Sequence, residues 1–159
     1  MKITIIAVGK IREKYWKDAI AEYEKRLSRF CKLQIIEVTD EKAPEALSEH
    51  EKELILQKEG QRILSCIPSD SYVISMAIEG VKYDSPGFAE MIRKQSLKGY
   101  SHFCFLIGGS LGLMNAVKKQ SNSQISFSDL TFPHQLMRVI LLEQIYRSFK
   151  INSHEPYHK

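Results

Sequence analysis

His102-Phe103-Cys104-Phe105-Leu106-Ile107 runs without interruption into Gly108-Gly109-Ser110-Leu111-Gly112. A short stretch that is mostly apolar on both faces suits a central strand of a parallel sheet, because helices cover such a strand on both sides. Glycines directly after it stand beyond the carboxyl end of the strand, where open α/β sheets bind ligands. Lacking a Cβ, they let the backbone turn sharply and approach a ligand closely. Their spacing matches neither Gly-x-Gly-x-x-Gly nor the Walker loop, so neither phosphate-binding fingerprint is present. Taken alone, they fit a ligand loop and a plain connecting turn equally well.

Outward from this stretch, strand-like and helix-like patterns alternate through all 159 residues. No linker, repeat or low-complexity tract interrupts them, which predicts a single α/β domain over 1–159. Upstream, Ile3 to Val8 reads as a first strand closed by Gly9, and Leu33 to Val38 as a second. Between them Trp16, Ile20, Tyr23, Leu27 and Phe30 recur at helical spacing. Residues 45 to 65 predict a charged, peripheral helix with a thin apolar stripe. Ser71 to Ile78 predicts a third strand ended by Glu79-Gly80, with Ser85-Pro86 as the cap and first turn of the next helix. Downstream come a short helix around Asn115 to Gln120, a fifth strand from Gln124 to Phe127, and a last helix opened by Pro133 and reaching about Lys150. Leu136, Met137, Val139, Ile140, Leu141, Leu142, Ile145, Tyr146 and Phe149 surround nearly the whole circumference of that helix. One face against a sheet cannot bury them all, so a second subunit is the expected cover.

The chain is 43% hydrophobic and 26% charged, the balance of an ordinary soluble domain, which excludes disorder and fibrous repeats. No apolar run approaches the ~18 residues of a membrane span, and the apolar start is followed by a turn and charges instead of a cleavage site. Cys31, Cys66 and Cys104 are an odd, widely spaced set. With no Cys-x-x-Cys pair they suggest neither a disulfide framework nor a zinc site, and they point to the reducing cytoplasm. The net charge of +4 sits C-terminally: residues 101–159 hold six basic groups against the acidic Asp129, Glu143 and Glu155, and four of the five histidines. A polyanionic partner fits that end, as does a merely solvated face.

Phe127-Ser128-Asp129-Leu130-Thr131-Phe132-Pro133-His134 follows the fifth strand at the same expected edge, so the two loops make one crevice. Backbone groups between walls of Phe127, Leu130 and Phe132 suit a flat heteroaromatic ring such as adenine. The bland alternative is a connection whose phenylalanines belong to the core. His134, beside a helix-opening proline, reads as a capping or packing residue. Arg138 and Arg147 stand nine residues apart on the last helix, where they either face phosphates or a polar substrate or pair with Glu143 or Glu155. His154 and His158 are four apart, but Pro156 interrupts the helix that would align them, so no metal is expected.

Phe105 to Gly112, the run Thr131-Phe132-Pro133-His134-Gln135-Leu136-Met137-Arg138, then Glu143-Gln144-x-Tyr146-Arg147, and the ending Pro156-Tyr157-His158-Lys159 together resemble the RlmH family of small bacterial SPOUT-class methyltransferases. The resemblance covers the whole chain. It implies S-adenosylmethionine-dependent methylation of N3 of a pseudouridine in 23S ribosomal RNA, on the assembled 70S ribosome, by a homodimer. It also implies a mostly parallel sheet and a C-terminal trefoil knot, with the knotted cofactor-binding part at about 71–159. By position it implies cofactor contacts at Met76, Gly108, Phe127, Ser128, Asp129, Leu130, Thr131 and Phe132, with Gly109 beside them. His154 stands where relatives commonly carry Gly or Asn, and Ser148 where Ala is frequent. Histidine tolerates a left-handed backbone, so the turn before the tail is expected to survive.

Methyl transfer from a sulfonium needs its nucleophile in line, so placement dominates, an effect worth roughly 7–11 kcal/mol. N3 of pseudouridine is an imide N–H whose lone pair is freed when the proton leaves. Arg147 is therefore expected to orient substrate and stabilise charge, His158 to handle the proton and Tyr157 to complete the catalytic group as a stacking face, in the same subunit or toward the partner subunit's cofactor, with Arg138 and Lys159 on the RNA. The tail is expected to be mobile until RNA binds. One competing reading is a non-catalytic RNA- or ribosome-binding module that retains the fold, against which the intact glycines and the 127–132 loop argue. Another, a flavodoxin-like nucleotide sensor, lacks a phosphate loop after the first strand, where Gly9-Lys10 offers a single glycine.

Overall fold

The computed structural model describes residues 1–159, in which strands and helices alternate strictly: β1 (Lys2–Val8), α1 (Lys14–Leu27), β2 (Lys32–Val38), α2 (Glu49–Cys66), β3 (Tyr72–Lys82), α3 (Ser85–Leu97), β4 (His102–Ile107), α4 (Asn115–Gln120), β5 (Ser123–Ser126) and α5 (His134–Asn152). The five strands form one sheet in the order β2-β1-β4-β3-β5. Every pairing in it is parallel. A parallel pair needs a crossover, and the intervening helices supply it on the two faces.

Period-two alternation divides the core between those faces. Ile3, Ile5, Ala7, Phe103, Phe105 and Ile107 point into the larger cluster, together with residues of α1, α3 and α5. Ile6, Val8, Cys104 and Leu106 point the other way, against Ile63 of α2 and Val117 of α4. β4 is buried along its entire length, as the double apolar pattern of 102–107 predicts.

Three expectations need correction. β3 does not stop at Glu79-Gly80: Met76 and Val81 both face Ile125 of β5, and the residues between them bulge out. One partner position thus serves two residues, and the strand resumes after the bulge. The helix after β3 is capped by Asp84, not Ser85, because the Asp84 carboxylate accepts the Gly87 N–H at 2.7 Å. The apolar circumference of α5 finds much of its cover inside the chain, since α5 packs against both α1 and α3. Phe149 stacks on Phe30 with centroids 5.4 Å apart. Tyr146 meets Tyr23 and Phe30, and Asn152 donates to the Ala89 carbonyl at 3.0 Å. No α5 residue is fully exposed, but Leu136, Met137, Val139 and Ile140 are only partly buried, so the chain covers the greasy helix in part. No helix is long and apolar enough to cross a membrane.

Candidate functional site

Because the sheet is all parallel, the carboxyl ends of β3, β4 and β5 meet at one edge, and a cleft of about 520 Å³ opens there. That volume lies within the ordinary range for small-ligand sites. Met76, Ala77 and Ile78 line it from β3, Ile107 to Ser110 from β4 and its turn, and Phe127, Ser128, Leu130, Thr131 and Phe132 from the loop after β5. The two loops read from sequence as one crevice are therefore its two walls. Ser126 Oγ donates to the Ser128 carbonyl and the Leu130 N–H to Ser128 Oγ, each at 3.0 Å, which folds the second loop onto itself. Apolar faces interspersed with backbone groups and the Ser110, Ser128 and Thr131 hydroxyls suit an aromatic ring carrying a polar tail.

The glycines owe their place to packing as well as to access. A Cβ at Gly108 would sit 2.3 Å from the Gly112 carbonyl oxygen, because the turn closes on itself. One at Gly109 would sit 3.1 Å from Glu59 Oε2. The Gly112 N–H donates to the Gly109 carbonyl at 3.0 Å and completes the turn. His134, which the sequence presents as a capping or packing residue, also lines the cleft. Burial, then the neighbouring Arg138, lower its pKa and favour the neutral imidazole.

Asp129 is the one expected cofactor residue that lies outside the lining: its carboxylate is exposed and paired with Lys82. Arg138 departs further from expectation. It is 1% exposed. Its guanidinium donates to Glu37 Oε1 at 2.7 Å, to the Val8 carbonyl at 3.1 Å and to the Gly9 carbonyl. Glu37 Oε1 also takes the Ile11 N–H at 2.9 Å. An arginine closed in this way cannot reach RNA. It is a strut that joins α5 to the ends of β1 and β2, and its partner is neither Glu143 nor Glu155.

Arg147, Tyr157 and His158 come together at the other end of α5. Arg147 holds Glu143 Oε1 through Nε at 3.0 Å and Nη2 at 2.6 Å. Its guanidinium lies 4.7 Å from the Tyr157 ring centroid, and Nη1 is 3.3 Å from His158 Nδ1. Tyr157 Oη donates to Glu143 Oε1 at 3.1 Å, and burial first, then Glu143, pushes its phenol up to about 12. His158 lines a neighbouring groove with Tyr83, Ser85 and Gln144, and that groove shares Ile125 and Phe127 with the cleft. Lys159 is exposed beyond it.

The expectation of a mobile tail does not match this packing. His154 turns the chain at φ 54°, the only non-glycine with positive φ, as the left-handed tolerance of histidine allows. Glu155 then takes Lys150 Nζ at 2.5 Å and Arg29 Nη2 at 2.8 Å, and Tyr157 packs edge-on against Tyr146, with centroids 4.9 Å apart. Glu143, considered from sequence only as an ion-pair partner, is the hub of the cluster. Its i,i+4 spacing from Arg147 was the available signal.

Residues 1–158 match the family model described as "Predicted SPOUT methyltransferase". The chain is 56% identical over 159 residues, covering 100% of both chains, to a protein of Streptococcus thermophilus strain LMD-9 named "Ribosomal RNA large subunit methyltransferase H". Proteins of the same name from strains CNRZ 1066 and LMG 18311 are each 57% identical over the same full length. Among solved structures, a probable methylase family protein from Haemophilus influenzae Rd KW20 superposes with a TM-score of 0.57 at 12% identity, covering 99% of this chain and 70% of that one. At that identity the likeness concerns the fold alone.

Proposed function

This chain belongs to the SPOUT methyltransferase family, within the ribosomal RNA large subunit methyltransferase H group, and from that premise we propose that it methylates N3 of a pseudouridine in 23S ribosomal RNA with S-adenosylmethionine as donor. The observation that carries this reading is a juxtaposition: His158, which belongs to the Arg147–Tyr157 cluster, lines a groove that shares Phe127 with the cleft. The cleft and the groove beside His158 share Ile125 and Phe127, so a donor in one and a nucleobase entering from the other can meet directly at their common edge.

The cofactor supplies an electrophilic methyl group on a sulfonium. The chain's own residues do the rest. Phe127, Leu130 and Phe132 wall an adenine ring, and the Gly108–Gly112 turn brings backbone groups to the remainder of the molecule. Arg147 stabilises the anion left when N3 loses its proton, and His158 takes that proton. Tyr157 keeps its own proton in the neutral range, so its part is to stack and to hold Glu143 in place. Lys159 meets the RNA backbone.

The same reading includes a cytoplasmic homodimer acting on the 70S ribosome, and a trefoil knot in about residues 71–159. Ile78 and Leu130 at the cleft and Tyr83 in the neighbouring groove are large, exposed apolar side chains, and a second copy covering them would fit dimerisation. The direct test is transfer of tritium from labelled S-adenosylmethionine to ribosomes lacking this methyl group, with the modified nucleotide mapped. Label at N3 of a pseudouridine is the expected result. Cofactor binding without transfer to any ribosomal RNA would instead favour a non-catalytic binding module.

A further inference from the structure

Behind the glycine turn, on the side covered by α2, lies a buried carboxyl group that neither the cleft nor the tail cluster uses. Glu59 is 4% exposed. Its Oε1 accepts the Glu41 N–H at 2.9 Å, while its Oε2 has no partner. That free oxygen lies 3.1 Å from where a Cβ would stand on Gly109. At the next residue, a Cβ on Gly60 would lie 2.9 Å from Met114, just before α4. α2, expected to be peripheral, is thus pressed against the cofactor turn along its rear.

A buried acceptor without a donor is unfavourable, more so when it is charged. The turn offers two N–H groups on this side of the sheet: that of Gly109, which faces the Gly112 carbonyl in an isolated bridge, and that of Ser110, which bonds to no backbone carbonyl. We propose that Glu59 is a positioning residue of the methyl-donor site, whose free Oε2 takes the N–H of Gly109 or Ser110 when the turn draws in around the cofactor. Occupancy of the cleft is thereby tied to α2 and, through Oε1, to the connection at Glu41. This inference rests on the reading that the cleft holds S-adenosylmethionine.

The charged groups around Glu59 are Asp40 and Glu41 of the β2–α2 connection and Arg62 of α2. Arg62 is already committed to Glu41 Oε1 at 2.5 Å and the Thr39 carbonyl at 2.8 Å. Val8 of β1 comes as close as Glu59 does to where a Cβ would stand on Gly109, and it carries no charge. Burial pushes the Glu59 carboxyl up against the lowering effect of the Glu41 N–H, and Asp40 and Glu41 add to the rise. The ionised form accepts the turn N–H most strongly, so cofactor binding favours loss of the proton. Affinity should rise as pH climbs through the raised titration range of Glu59 and fall below it.

The test is calorimetric titration of the full-length protein with S-adenosylmethionine at several pH values, for wild type, Glu59→Gln and Glu59→Ala. Glutamine keeps an acceptor oxygen and loses the titration; alanine has neither. The expected results are about tenfold weaker binding for Glu59→Ala, with turnover at saturating cofactor changed less than about twofold. Glu59→Gln should bind within about threefold of wild type, with a flat pH dependence. The Gly109 or Ser110 amide proton should move downfield on cofactor addition in wild type and Glu59→Gln. If Glu59→Ala fails to fold, the flat profile of Glu59→Gln and the wild-type amide shift decide. Wild-type affinity and pH dependence in Glu59→Ala, or an unmoved amide in wild type, overturns the proposal. A wild-type protein with no cofactor affinity overturns the reading of the cleft itself.

Discussion

Toward its N-terminal end α5 is tied to the ends of β1 and β2 through Arg138, and at its C-terminal end it carries a polar cluster through Arg147. The two arginines look alike in sequence, nine residues apart on a greasy helix. Arg138 is enclosed by β1 carbonyls and Glu37, whereas Arg147 keeps part of its guanidinium open beside Tyr157 and His158. A charge on an apolar helix is therefore not assigned by its own residue type. What lies opposite decides, and here the strand ends lie opposite one arginine while the returning tail lies opposite the other.

The sharpest way to break this division is to remove the tail. Deleting residues 155–159 takes Tyr157 and His158 from Arg147 and leaves the cleft walls in place. Methylation of ribosomes should fall at least about 100-fold, the scale of a lost proton-transfer group. Affinity for S-adenosylmethionine should stay within about threefold, and Arg147→Ala should act in the same direction. Because Glu155 also holds Lys150 and Arg29, some loss of thermal stability is expected. If cofactor binding disappears as well, the tail is a structural lid and the two ends of α5 are not separable.

Arg138→Ala probes the opposite end. It takes the guanidinium from two carbonyls and from Glu37, which keeps the Ile11 N–H. Because Glu37 is partly exposed, the cost should lie at or below the low end of the about 3–5 kcal/mol of a broken buried pair. Urea unfolding should show that loss. The folded fraction should still methylate at close to the wild-type rate, because Arg138 touches neither the cluster nor the RNA. A fully stable variant that fails to bind ribosomes would return Arg138 to the role its sequence position suggested.

Gly108→Val tests the cleft alone. The new Cβ would collide with the Gly112 carbonyl, and the turn can make room only by opening. Cofactor affinity should weaken at least tenfold, or about 1.4 kcal/mol, while the Arg147–Glu143 pair stays intact. Calorimetry with an unchanged affinity in a folded variant would place the donor elsewhere.

The cleft was largely legible from sequence because its signals are local. β4 reads as a buried strand from its own six residues, and loops after parallel strands share an edge by topology. Asp129 was misplaced because its spacing inside the loop says nothing of Lys82, which reaches it only after the β3 bulge. Glu59 was invisible for a related reason. On a charged helix one more glutamate looks solvated, and only the close approach of Gly109 reveals it as buried. The tail cluster was read half correctly: its members were named, but anchoring by Glu155 and Glu143 depends on a left-handed turn at His154 and on contacts far apart in sequence.

The smallest expected effect is that of Tyr157→Phe, and it separates stacking from hydrogen bonding within the tail cluster. The ring stays against Tyr146 and Arg147, and only the bond from Oη to Glu143 is lost. A hydrogen bond to a buried partner contributes about 0.5–1.5 kcal/mol, more with a charged acceptor. Methylation should therefore fall by no more than about tenfold. The shape of its pH dependence through the neutral range should not change, because burial and Glu143 keep the phenol protonated up to about 12. Stability supplies a second readout. The fold holds this proton more tightly than the unfolded chain, where tyrosine titrates near 10. The contribution is then fully present below about pH 10 and is lost as pH rises toward 12. Alkaline unfolding of wild type should approach that of Tyr157→Phe over that interval. A Tyr157→Phe enzyme whose neutral-range pH profile loses a limb would mean that this hydroxyl, not His158, handles the proton.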